Sequence, residues 1–183
     1  MGSIIVGSVL SREAVERTEE VAYIYEGVWE RSRDIKWIDH ISMSLTKVNV
    51  DLFQRSRINH PHWWWAIMSF APDILDDPGV VFTTTNNAYA ETCLRGEGRA
   101  GFDAMFAPSV LWGHYNTCEF RGDNHPRNLP THNAAEVLYP RAIPLSRVQA
   151  IYLRDGAQRS LINSWCEIYG RDPLPVVVDP ALF

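Results

Sequence analysis

Glu136 stands out chemically because it is a lone carboxylate inside an apolar stretch, Ala134–Tyr139. Burying a carboxylate is costly unless it is paired or used. A structural salt bridge is one use; catalysis is another. A second stretch, Trp37–Leu45, carries Ser42 and Ser44 two positions apart. If it is a strand, both hydroxyls point to one side of the sheet, opposite Met43. Two such hydroxyls and a strand glutamate suit the binding of a ribosyl group. The glutamate can accept a hydrogen bond from a ribose hydroxyl, which favours positive charge at the anomeric carbon as a leaving group departs. The polar segment that follows holds Arg55 and Arg57, whose guanidinium groups can neutralise a pyrophosphate.

Other chemistries find less support. His60 and His62, with His114, His125 and His132 downstream, lack the tight spacing of a zinc site, and there is no HExxH. No metal is therefore expected. A GxSxG elbow is absent, which argues against a nucleophilic hydrolase. The glycine-rich stretch Arg95–Gly101 does not follow the GxxxxGK[ST] pattern and predicts a flexible loop rather than a phosphate cradle. Cys93, Cys118 and Cys166 are widely spaced, odd in number and free of any CxxC. They are expected to be idle thiols in a reducing compartment. The run Trp63-Trp64-Trp65 predicts a central strand buried on both faces, with base stacking by exposed rings as the alternative.

The stretch Asn133-Ala-Ala-Glu-Val-Leu-Tyr-Pro-Arg-Ala-Ile-Pro-Leu, followed by Val148-Gln-Ala-Ile-Tyr-Leu, resembles the DarT family of DNA ADP-ribosyltransferase toxins. Trp37-Ile-Asp-His-Ile-Ser-Met-Ser-Leu-Thr, Gly79-Val-Val-Phe-Thr-Thr-Thr-Asn and Ser3-Ile-Ile-Val-Gly-Ser-Val-Leu-Ser-Arg resemble further family segments. The resemblance implies an ADP-ribosyltransferase-like fold, with two small packed β-sheets and flanking helices around an NAD cleft. It implies Glu136 as the catalytic glutamate, with His40, Ser42 and Ser44 on the strand that lines the NAD pocket. It also implies an assisting arginine, for which Arg55 and Arg57 both stand. NAD would be the consumed substrate, single-stranded DNA the acceptor, and a cognate antitoxin the protein partner. RNA is the alternative acceptor, and a non-catalytic binding descendant the alternative class. Relatives that modify arginine place a second glutamate two residues before the first; Ala134 stands there, which favours a nucleobase acceptor. The family's first strand carries a His-x-Thr-like motif that grips NAD. The chain starts after that point, so weak NAD binding is expected.

These residues need elements to position them. Ser11 is placed to cap a helix over Arg12–Ser32, with Val15, Val21, Tyr25 and Trp29 on one face and an acidic opposite face. Strands are predicted at Trp37–Leu45, Trp63–Phe70, Val80–Thr85, Ala134–Tyr139, Val148–Leu153 and Pro175–Val178, and a turn at Pro140–Pro144. Gly101–Ala107 suggests a short helix. Ala157–Ile168 suggests a longer one, with Leu161, Ile162, Trp165 and Ile168 on one face. Thr46–His62 is a polar segment, and Leu111–His132, with Pro126 and Pro130, predicts a long polar loop. The pattern fits one α+β domain over residues 1–183.

Composition agrees. Hydrophobic residues make up 46% and charged residues 21%, as in a globular chain able to bury a core. No apolar run is long enough for a membrane span, and Met1–Leu10 lacks a basic start and a cleavage site, so a cytoplasmic protein is expected. With 17 basic and 22 acidic residues the net charge is −5, so DNA must be drawn by a local groove. Arg95, Arg99, Arg121 and Arg127, in the polar loops, are the candidate cations.

Overall fold

The computed structural model describes residues 2–22, 35–115 and 117–183. Along the chain run helix α1 (Gly2–Val6), strand β1 (Ser8–Leu10), helices α2 (Arg12–Arg17) and α3 (Glu19–Ala22), strand β2 (His40–Ser44) and helix α4 (Val50–Asn59). Strands β3 (Ala66–Phe70), β4 (Val81–Thr83) and β5 (Arg95–Glu97) follow, then helix α5 (Gly98–Ala104). The remainder comprises β6 (Ser109–Trp112), β7 (Thr117–Phe120), β8 (Glu136–Pro140), β9 (Ala142–Pro144), β10 (Val148–Leu153), helix α6 (Arg159–Ile168) and β11 (Val176–Val178).

The mixed helix-and-sheet class is as expected. A four-stranded antiparallel sheet has the order β2-β8-β4-β5, and a three-stranded sheet the order β11-β10-β3. Two further ladders, β1-β9 and β6-β7, have two strands each. In the larger sheet Met43 lies opposite Val137, and Ser44 opposite Glu136. The odd positions of β2 therefore share a face with Val137 and Tyr139, and these pack with Phe82, Met105 and Ile143 in one apolar cluster. Period-two alternation in β2 thus separates a core face from a polar face. A second cluster joins Ile151 and Leu153 of β10 to Ile162 and Cys166 of α6; Val9 and Phe70 touch both clusters. Leu153, fully buried, contributes about 1.5–3 kcal/mol by its burial.

Several predicted elements are corrected. Ser11 caps α2 as expected, its Oγ accepting from the Ala14 N–H at 3.3 Å. The helix stops at Thr18, which is extended (φ −100°, ψ 104°), before α3 begins. The rest of the predicted helix, with Tyr25 and Trp29, lies outside the described residues. The polar segment Thr46–His62, given no element from sequence, is largely helical. It contains α4, whose N-cap Asn49 accepts from the Leu52 N–H at 3.2 Å. No residue of α4 is buried, so it has no core-facing stripe to announce it. The tryptophans precede β3, which is an edge strand of its sheet rather than a central one. On α6 the buried face is Ile162 and Cys166, while Leu161 and Ile168 are exposed. The expected turn at Pro140–Pro144 contains β9, which pairs with β1. The predicted loop Leu111–His132 opens with the β6-β7 hairpin.

Two of the three glycines of Arg95–Gly101 serve close packing. Gly96, on β5, and Gly101, on α5, meet so tightly that a Cβ on Gly101 would lie 2.1 Å from the Gly96 carbonyl oxygen. This contact lets α5 fold back against β5 and β4. Gly101→Ala is expected to destabilise the protein by about 1–3 kcal/mol, the scale of core overpacking. A thermal melt checks this; an unchanged midpoint would show that the backbone yields freely.

Candidate active site

β8 lies in the sheet interior between β2 and β4, and Glu136 opens it. Its backbone is fixed by Thr83, a fully buried residue whose Oγ1 accepts from the Glu136 N–H at 3.0 Å and lies 2.8 Å from the Thr85 carbonyl oxygen. The side chain is fixed by the turn that ends β4. Asn86 Nδ2 donates to Oε1 at 3.1 Å, and the Asn87 backbone N–H donates to Oε2 at 2.8 Å. Asn86 is itself oriented, since its Oδ1 accepts from the Ala88 N–H at 2.9 Å.

Arg95 holds this turn. Its Nε donates to Asn87 Oδ1 at 2.7 Å, Nη2 to the Asn87 carbonyl at 2.8 Å and Nη1 to the Cys93 carbonyl at 2.9 Å. Three charge-assisted bonds from one planar fork fix both ends of a short loop. Arg95 is thus no solvated loop cation. Arg121 also turns inward, donating to the carbonyls of Leu129 (2.8 Å) and Pro126 (2.9 Å) and so tying down the polar stretch before His132. Of the other two expected DNA cations, Arg99 is exposed and pairs with Asp103 at 2.8 Å, and Arg127 is exposed.

Glu136 lines a cavity of about 1030 Å³, bounded by β2, the start of α4, the Asn86–Tyr89 turn and the stretch Leu129–Ala135. That is at the top of the range of about 300–1,000 Å³ for small-molecule sites, and is roomy enough for a dinucleotide. His40, Ser42 and Arg55 line it. The His40 Nδ1 sits 2.6 Å from Asp39 Oδ1. Ser44 shares the Glu136 face but does not line the cavity; its Oγ accepts from the Asn49 N–H at 3.3 Å and anchors the entry to α4. The structure separates the two arginines that the sequence leaves equal. Arg55 faces this cavity, whereas Arg57 lies over the Phe53 ring at 5.8 Å and lines a different hollow.

Several lining residues carry no sequence signal. Asn86 and Asn87 read only as a strand end, yet they reach a glutamate 50 positions away. His132, at the end of a polar stretch, is buried; its Nδ1 accepts from the Ala134 N–H at 3.2 Å, which assigns the ring proton to Nε2. Trp112 packs against it with ring centroids 5.0 Å apart. Among the thiols, Cys93 and Cys166 are buried but Cys118 is exposed, and burial raises the Cys93 pKa. Among the described residues, no group of three or more His, Cys, Asp or Glu is placed to hold a metal ion.

The whole fold is similar to that of solved DarT structures. It is similar to Thermus sp. 2.9 DarT in complex with NAD+, with a TM-score of 0.66 and 9% identity over 100% of this chain and 90% of that one. The same Thermus protein in complex with ADP-ribosylated ssDNA gives 0.65 at 10% identity, covering 100% of this chain and 90% of that one. Thermosipho africanus DarTG in complex with ADP-ribose gives 0.55 at 16% identity, covering 100% of this chain and 47% of that one. The sequence matches the ssDNA thymidine ADP-ribosyltransferase family, DarT, over residues 1–183, and the chain belongs to that family. Of the acceptors left open by the residues alone, the family description names thymidine in single-stranded DNA. No curated protein matches the sequence.

Burial lowers the His132 pKa from its ordinary 6.5, with the Glu119 carboxylate opposing the shift. The unfolded chain then binds this proton more readily than the folded one. The stability contributed by the neutral ring is complete above about pH 6.5 and is lost as the pH falls below it. Between about pH 7 and pH 5, the melting temperature of the wild type should fall by more than that of His132→Gln. Equal shifts in the two proteins would place the acid sensitivity elsewhere.

Proposed function

We propose that Glu136 is the catalytic carboxylate of an NAD-consuming transfer to thymidine in single-stranded DNA, carried out in the cavity that it lines. The supporting observation is the fixed orientation of its carboxylate, with both oxygens held by donors from one turn. In the reaction, the glycosidic bond to nicotinamide breaks, and its electron pair leaves with nicotinamide. A nucleophilic atom of the thymine base bonds to the anomeric carbon, and the proton it carried is released to solvent. Glu136 accepts a hydrogen bond from a ribose hydroxyl and stabilises the positive charge that develops next to it. Arg55, His40 and Ser42 line the cavity; in this reading Arg55 supplies positive charge for the pyrophosphate, and His40 and Ser42 contact NAD. Arg95 is a positioning residue, which acts on the reaction through Asn87 and Glu136. Arg57 lies outside this cavity and lines the other hollow, so this reading assigns the assisting role to Arg55.

The biological reading is a toxin acting in the cytoplasm, paired with an antitoxin that reverses the modification. The resemblance to DarT toxins supports it. No helix among the described residues is long and apolar enough to cross a membrane.

The test is nicotinamide release and oligonucleotide modification by Glu136→Gln, which keeps the size of the side chain and removes its charge. Transfer to a thymidine-containing single strand should fall by about 10²-fold or more, the scale of losing a preorganised electrostatic contact, in a protein that stays folded and loses only the stability of the one bond that the amide NH2 cannot accept. A folded variant with near-normal transfer would overturn the assignment.

A further inference from the structure

The tryptophan run lies outside the catalytic cavity and outside the core. Trp63 and Trp64 are 43% and 40% exposed. With Trp65 they line a second hollow, of about 480 Å³. Its rings are already arranged. His60 stacks on Trp63 with centroids 4.0 Å apart and planes 15° from parallel, Trp65 tilts against Trp63 at 5.8 Å, and Trp64 lies against Trp165 of α6 at 6.3 Å. Holding large apolar rings in water forgoes the free energy their burial would supply. Two guanidinium groups, from Arg57 and Arg154, line the same hollow. The carboxylate beside them, Asp155, caps its own turn, accepting from the Ala157 N–H at 2.9 Å.

Exposed rings beside arginines suit a single-stranded nucleic acid. Bases stack on the rings whatever their identity, and the cations follow the phosphates. The position of the hollow fits as well. Asp51 and Arg55 of α4 face the Glu136 cavity, whereas Gln54, Arg57 and Ile58 on the adjoining stripe of the same helix face the tryptophans. A helix is only about 10–12 Å across, so a single strand leaving one hollow reaches the other within a few nucleotides.

We propose that Trp63 and Trp64, with Arg57 and Arg154, form a stacking platform that holds single-stranded DNA flanking the modified thymidine. The proposal rests on the reading of this chain as an enzyme that acts on single-stranded DNA. It makes the platform a source of affinity for strand length rather than of chemistry, with little preference for the stacked base.

The experiment is anisotropy binding of a labelled long oligothymidylate without NAD, alongside transfer to a trinucleotide with a central thymidine. The Trp63→Ala/Trp64→Ala double variant should bind the long strand about tenfold or more weakly, and should modify the trinucleotide at the wild-type rate. The Trp63→Phe/Trp64→Phe variant keeps both rings and should retain most of the affinity. Wild-type affinity in a folded double alanine variant would overturn the platform and leave the patch as a protein-contact surface. If the alanine variant does not fold, photocrosslinking of the wild type to a 5-iododeoxyuridine strand decides. Adducts on Trp63 or Trp64 support the platform, and adducts confined to the Glu136 cavity refute it. Because binding is read without NAD, a wild type that binds the strand but transfers nothing counts against the proposed function and not against the platform.

Discussion

Much of the site depends on one chain of hydrogen bonds: Arg95 to Asn87, and the Asn86–Asn87 turn to the Glu136 carboxylate. A glutamate on a strand can swing through several rotamers, and only some of them present its oxygens to a substrate. Two donors from one turn remove that freedom. The turn opens a short loop, and Arg95 ties the two ends of that loop together by bonding to the carbonyls of Asn87 and Cys93. The electrostatic effect of a carboxylate on a developing cation depends on its being in place beforehand, because no reorganisation is then needed during reaction.

The sheet and its glycines place this chain of bonds. Arg95 pairs in register with Thr83, and Thr83 with Glu136, so the three residues form a row across β5, β4 and β8. Thr83 fills the middle of that row with its buried hydroxyl satisfied on both sides. Beside the row, the contact of Gly96 with Gly101 allows α5 to close over β5. On the opposite face of the sheet, Met43, Val137 and Phe82 form the core, so register and burial fix each other.

Local periodicity reached only part of this. Alternation in Trp37–Leu45 identifies the polar face of β2, β-branched residues mark β4, and Val148–Leu153 is a strand over its full predicted length. Glu136 is conspicuous as a charge in an apolar strand. The other features depend on contacts distant in sequence. The run Arg95–Gly101 looks flexible because glycine permits both freedom and close packing, and only the neighbouring helix shows which applies. Arg95 and Arg121 look like loop cations because their carbonyl partners leave no trace in composition. The α4 helix lacks an apolar stripe, and the tryptophans imitate a buried strand by hydrophobicity alone. Arg55 and Arg57, two positions apart, become distinct only once a helix turns them to different hollows.

The central claim is that Arg95 serves the reaction through Glu136. A double-mutant cycle on the rate of thymidine modification, using Arg95→Gln, Glu136→Gln and the double variant, tests it most directly. The expected result is that Arg95→Gln slows transfer in the wild type but has little further effect once Glu136 is Gln, with melting temperatures confirming that each protein is folded. Independent losses that multiply in the double variant would contradict the claim, and would give Arg95 a role in the reaction separate from the carboxylate.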